Sequence, residues 1–274
     1  MRKLLKLAVC AGIVSPFCAS AQLITVNEPS TSGSFNALIS LMAADGAALH
    51  VGNGEANATA FTQLYWDVSA SAWEVGSLST DIEDFNFQLR NTNVQYFVQT
   101  GPTVDVGFVS NENWDLDELF INAYAVGDLG NSDPRVSLFD YSSKPGSTAT
   151  DVPGDTAELV LADGVSAPVI LEFEHINQTV SPLGPLYQSN EIRFNMFQGV
   201  NVDAQGAVVS YIKNEWLFGI NDKNTDFDGD GDDGYFYFSG DIRPVPEPSQ
   251  IAALSLLGLG AFLFVRRRLM KRGK

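Results

Sequence analysis

The stretch Pro168-Val-Ile-Leu-Glu-Phe-Glu-His175 decides the fold class. Its apolar residues recur at every second position. In an extended chain Val169, Leu171, Phe173 and His175 therefore share one face, and Ile170, Glu172 and Glu174 the other. The same two-residue period returns at 61–69, 94–100, 104–110, 119–126, 136–141, 192–197, 207–213, 216–220 and 235–239. Turn signals separate these runs: Thr100-Gly-Pro102, Asn131-Ser-Asp-Pro134, Lys144-Pro-Gly146, Val152-Pro-Gly154, Ala162-Asp-Gly164, Pro182-Leu-Gly-Pro185 and Asp203-Ala-Gln-Gly206. Many short strands at this spacing predict an all-β fold, a single β-sandwich of jelly-roll type over residues 22–242. One short acidic helix is predicted, at 112–120. With no internal repeat and no long linker, one domain is expected.

Composition narrows the function. The 274 residues carry 16 Lys+Arg against 33 Asp+Glu, for a formal charge of −17. Such a chain is a poor nucleic-acid binder, because sequence-independent affinity for phosphates comes from clustered Lys and Arg. Disorder is excluded by 18 Phe, 8 Tyr and 4 Trp set in apolar runs. The charge is also unevenly placed. Residues 1–21 and 249–274 hold only basic charges, +3 and +6, so residues 22–248 hold 7 basic residues against all 33 acids, a net of −26.

The N-terminal basic compartment has Arg2, Lys3 and Lys6, an apolar stretch over 4–14, and Pro16 ahead of the small residues Ala19-Ser20-Ala21. It reads as a signal peptide of residues 1–21, cut before Gln22. Cys10 and Cys18 lie inside it, so the exported part has no cysteine to form a disulfide. The C-terminal compartment, 243–274, opens with Val245-Pro246-Glu247-Pro248-Ser249, continues in an apolar stretch at about 250–265, and ends in the basic tail 266–274, with Arg266, Arg267 and Arg268 foremost. As a transmembrane helix those 16 residues would span about 24 Å against a hydrocarbon core of ~30 Å, a shortfall that snorkelling arginines and a thinned bilayer can absorb. The basic tail is then cytoplasmic and residues 22 to about 249 lie outside the membrane, which in a cell with two membranes is the periplasm.

Val245-Pro-Glu-Pro-Ser249, one short apolar helix and an arginine cluster together resemble the PEP-CTERM sorting signal of Gram-negative bacteria. The resemblance covers about the last 30 residues. It implies an exosortase as partner, a membrane cysteine transpeptidase that recognises the Pro-Glu-Pro motif, removes the helix and passes the protein to the cell surface or extracellular matrix.

The strongest chemical signal in the body is Asp226-Phe-Asp228-Gly-Asp230-Gly-Asp232-Asp233, followed by the aromatic run Tyr235-Phe-Tyr-Phe238. Alternating Asp and Gly let a tight loop turn carboxylates inward around a hard cation, and Ca²⁺ takes oxygen ligands in such loops. Asp226, Asp228, Asp230 and Asp232 are the expected metal ligands, with Asp222 and Asp233 as helpers. An EF-hand is not the match, since Tyr237 stands where the bidentate Glu belongs. The alternative is a solvated acidic turn without metal. The segment from Trp216-Leu-Phe-Gly-Ile-Asn-Asp222 through the Asp/Gly loop to the aromatic run is also similar to the last hairpin of PEP-CTERM ectodomains, which implies a fold more than an activity.

Elsewhere the signals are weaker. His50 and His175 have no metal-ligand spacing around them, and His175 continues an apolar strand face. Glu172 and Glu174 form a carboxylate pair of the kind glycoside hydrolysis uses, but among 33 acids such a pair arises by chance. Gly52-Asn-Gly54 lacks the third glycine of a dinucleotide fingerprint, and no Gly-x-Ser-x-Gly occurs. Trp66, Trp73, Trp114 and Trp216 are core residues by default and a sugar-stacking platform otherwise. The expectation is a non-enzymatic, exported surface or matrix protein associated with exopolysaccharide through bridging cations. A carbohydrate-binding, lectin-like module is the alternative, ahead of a secreted glycan hydrolase.

Overall fold

The structure is a computed structural model, and it describes residues 22–27, 33–45, 49, 62–91, 96–111, 117–125, 135–141, 149–177, 187–188, 193–221 and 234–244. These form one helix and thirteen strands: β1 (Ile24–Asn27), α1 (Gly33–Ala44), β2 (Gln63–Asp67), β3 (Ala72–Val75), β4 (Phe85–Asn91), β5 (Tyr96–Ser110), β6 (Asp117–Ala125), β7 (Val136–Tyr141), β8 (Thr156–Leu161), β9 (Val169–Asn177), β10 (Tyr187–Gln188), β11 (Arg193–Val202), β12 (Val208–Asn221) and β13 (Gly234–Pro244). The fold is all-β. Every strand pair is antiparallel, in the order β3-β2-β4-β11-β12-β13-β5-β9-β6-β7, with β8 on β5, β1 on β8 and β10 on β9.

The alternation appears over residues 169–173: Val169, Leu171 and Phe173 are buried, while Ile170 and Glu172 are only half-buried. The central strands differ, because apolar material covers both of their faces. On β13, Phe236 and Phe238 enter one hydrophobic cluster and Tyr235 and Tyr237 the other. A strand buried on both faces has no polar positions to alternate, which is why 235–238 reads as an unbroken aromatic run.

Ring contacts show how the sheet bends. Phe139 on β7 lies 5.5 Å from Phe236 on β13, although four strand steps separate them and a flat sheet would set them about 19 Å apart. That end of the sheet therefore folds back over one face. At the other end Phe87 on β4 meets Tyr237 on β13 at 6.0 Å across three steps, so β4, β2 and β3 curl over the opposite face. Helix α1 fills the second cluster with Ile39 and Met42, and Phe35 and Leu38 pack against it. That stripe, at positions i, i+3, i+4 and i+7, was legible as a helical face but was not read as one.

Several boundaries depart from the sequence reading. The predicted turn at Thr100-Gly-Pro102 is instead interior to β5, a single strand of 15 residues. The signal marks a bulge within that strand: β5 advances five residues, Gln99 to Val104, where β13 advances two, Ile242 to Gly240, and the neighbour of β5 changes there from β9 to β8. Gly240 has φ +141°, and a Cβ there would lie 3.0 Å from the Val104 Cα, so β13 needs a glycine opposite the bulge. Likewise 207–213 and 216–220 join into the one strand β12. The predicted helix at 112–120 is contradicted where the structure describes it, since Asp117–Phe120 opens β6. Leu119, Ile121 and Ala123 alternate into the core between β7 and β9, and this pairing outweighs the helix propensity of an acidic run. Residues 112–116 lie outside the described residues.

Candidate functional site

The sorting motif Val245–Ser249, the predicted span 250–265, the cluster Arg266, Arg267 and Arg268, the signal segment 1–21 and the ligand set Asp226, Asp228, Asp230 and Asp232 lie outside the described residues. What is described is how two of these segments are approached. Ile220 on β12 pairs with Gly234 on β13, so the two ends of the Asp-rich segment are held side by side as the connection of a hairpin. The far end of β13, Pro244, pairs with Phe97 and is the residue immediately before Val245. Among the described residues no helix is long and apolar enough to cross a membrane, and no group of three or more His, Cys, Asp or Glu is arranged to hold a metal ion.

The tryptophan platform is not formed by the residues the structure describes. Trp66, Trp73 and Trp216 are buried, with 1%, 4% and 4% of their surface exposed. Two of the indoles are fixed by hydrogen bonds: Trp73 Nε1 donates to the Met42 carbonyl and Trp216 Nε1 to the Ile242 carbonyl, each at 3.0 Å. Trp114 and His50 lie outside the described residues, and of His175 and Glu174 only the backbone is described, in β9.

Glu172 stands on the outward face of β9, directly opposite Tyr96 on β5 and Asn122 on β6. The Tyr124 hydroxyl donates to its Oε2, and the Tyr96 hydroxyl also bonds to it. Burial, and then the negative charge of Glu172, hold the Tyr96 phenol above its ordinary range. A carboxylate gripped by two phenols is held in place, which suits a structural node better than a mobile base.

A second outward face assembles from β2, β4 and β12. Gln63 pairs with Gln88, and the row Tyr65–Asn86–Val200–Tyr211 runs beside them across β2, β4, β11 and β12, with its middle members Asn86 and Val200 buried. The Tyr211 hydroxyl donates to Gln88 Oε1 at 2.9 Å, and the Arg90 guanidinium lies 3.9 Å above the centre of the Tyr211 ring. Tyr211 is 39% exposed. The segment between β3 and β4 rises beside this face, where the Ser79 amide donates to Asn86 Oδ1 at 2.6 Å and Asn86 Nδ2 donates back to the Ser79 carbonyl at 3.0 Å. The tyrosines and amides converge through strand pairing between residues far apart in sequence; only their individual alternation was visible beforehand.

Carboxylates on the remaining faces are perturbed by burial. Asp105 on β5 and Glu215 on β12 both pair with Ser239 of β13, so the three share one row, and desolvation raises both acids. The Glu215 side chain lies directly over Gly199, where a Cβ would come within 2.9 Å of its Oε2. Asp140 and Asp151 are joined by backbone bonds. Asp140 is raised by desolvation and then by Glu118 and Asp151, and Asp151 by desolvation, against the lowering effect of the Asp140 amide.

No family model, no curated protein and no solved structure matches this chain.

Proposed function

We propose that the chain is an exported, non-enzymatic surface or matrix protein, carried by its N-terminal signal, held in the inner membrane by the helix at about 250–265, and processed by an exosortase at Val245–Ser249. The observation that carries this reading is the three-part layout of residues 245–274, motif, apolar stretch and basic tail. The position of Pro244 supports it, since the last described residue of β13 directly precedes the motif and no separate domain intervenes.

The body is best read as a β-sandwich of jelly-roll type, supported by the end of the sheet with β6 and β7 folding back over the Phe236 face of β13 to enclose the first hydrophobic cluster. Ca²⁺ bound by Asp226, Asp228, Asp230 and Asp232 would close the β12–β13 hairpin. The donors are hard carboxylate oxygens suited to that ion, and the juxtaposed Ile220 and Gly234 bring the segment's ends together. Association with exopolysaccharide completes the reading. The alternative, a carbohydrate-binding module, takes its aromatic surface from tyrosine in place of the buried tryptophans.

The deciding experiment expresses the full chain with a C-terminal epitope in an exosortase-positive host and in its exosortase-null derivative. Loss of the epitope only in the first is expected. An intact C-terminus in both hosts defeats the sorting reading.

A further inference from the structure

We infer that the outward face built by Gln63, Tyr65, Gln88, Arg90 and Tyr211 is a binding site for a neutral polysaccharide. This gives the proposed polysaccharide association a location. The chemistry of the face differs from that of the body around it. Residues 22–248 carry a net −26, so a face turned to water there is expected to be rich in carboxylates. Here two phenols, two primary amides and one guanidinium come together, and the neighbouring carboxylates, Glu74, Asp67 and Asp84, gather at the Tyr65 end alone. Primary amides donate and accept at once, which matches the paired donor and acceptor character of sugar hydroxyls. Aromatic rings offer an apolar surface for the C–H face of a pyranose while keeping a polar tip in water.

The face is also prepared for contact. The Gln88 amide is oriented by the Tyr211 hydroxyl and the Tyr211 ring by Arg90, so these side chains have already lost much of the rotamer freedom that binding would otherwise remove. Tyr65 and Tyr211 end one cross-strand row three strand steps apart, about 14 Å; its middle members Asn86 and Val200 are buried, so a short run of sugar units would pass between the tyrosines along Gln63 and Gln88. The Ser79–Asn86 bonds set the segment between β3 and β4 over the middle of that row, as a wall along one side of Gln63 and Gln88. Charge selects the class of glycan. Glu74 pairs with Tyr65 across β2 and β3, and Glu74, Asp67 and Asp84 all act on the Tyr65 phenol, so a polyuronate would meet repulsion at that end.

Affinity electrophoresis tests the site. Detergent-solubilised full chain is run through native gels cast with hydroxyethyl cellulose, dextran or galactomannan, and with alginate as the polyanionic comparison. At least one neutral polymer is expected to retard the protein and alginate is not. Tyr211→Ala and Gln88→Ala should each weaken retardation about tenfold or more, whereas Val152→Ala, at an exposed side chain in the connection between β7 and β8, should leave it unchanged. If Tyr211→Ala lowers Tm, Tyr211→Phe keeps the ring and removes only the bond to Gln88, and it should still weaken binding. No retardation by any neutral polymer, retardation by alginate as strong as by the neutral polymers, or a Tyr211→Ala/Gln88→Ala double variant retarded like the parent would overturn the inference. Epitope loss is scored separately: processing without retardation removes this site and leaves the sorting reading standing, and retardation without processing does the reverse.

Discussion

Ile39 of α1 sits directly on Gly107 of β5, so that a Cβ added at residue 107 would overlap the isoleucine side chain. Ile39 is fully buried, and Gly107 lies between Thr156 of β8 and Tyr237 of β13. The helix is seated on the sheet through this contact, with Phe35 against Tyr237 and the Thr156 hydroxyl bonded to Asn36. Gly107→Ala is expected to lower stability by about 1–3 kcal/mol through overpacking, read as a fall in Tm. Combining it with Ile39→Ala should recover part of the loss, because the two sites share one volume.

Glu215 links stability to pH. Its folded-state value is raised by burial, so between the unfolded carboxylate value, about 4.3, and the folded one the native state binds more protons than the unfolded state. The contribution is fully present below that window and is lost as pH rises through it. Glu215→Gln should therefore stabilise the protein at pH 7, by about 1 kcal/mol, and change little at pH 4. Denaturation midpoints for both proteins across pH 4–7 check the sign.

Trp216 serves where β12 and β13 part. Their pairing ends at Glu215 and Ser239, and the indole N–H then supplies a donor to the Ile242 carbonyl that the neighbouring strand no longer provides. Trp216→Phe keeps most of the ring but leaves a buried acceptor without its donor, so a loss of about 1–3 kcal/mol is expected in thermal or urea unfolding.

Calcium should act on the hairpin. Millimolar Ca²⁺ is expected to raise the Tm of the full chain, and Asp228→Asn/Asp230→Asn should remove most of that rise. An unchanged Tm in calcium would dismiss the four aspartates as a metal site.

Alternation over a few residues made the strands around Val169 and Val136 readable, because each run meets a face whose polarity is uniform along its length, while the run at Tyr235 is marked as a strand by its aromatic residues. Punctuation was less informative. Gly101-Pro102 has the composition of a turn, yet it makes a bulge inside β5, where the strand changes neighbour from β9 to β8 without reversing. Helix α1 escaped notice because Leu41, half exposed, blurs the stripe of Phe35, Leu38, Ile39 and Met42. The tyrosine–amide face was illegible for a more general reason. Gln88 and Tyr211 are 123 residues apart, and only the completed pairing of β4, β11 and β12 brings them together.

Strand β13 has a mechanical consequence. Its 11 residues extend about 36 Å from the Asp-rich connection to Pro244, paired with β12 over the first half and with β5 along nearly its whole length. A pull applied at the C-terminal end acts along this strand, so its hydrogen bonds to β5 are loaded together in shear and cannot be unzipped one at a time. With the C-terminal end anchored and a polymer bound as proposed, traction would thus fall on the β13–β5 ladder.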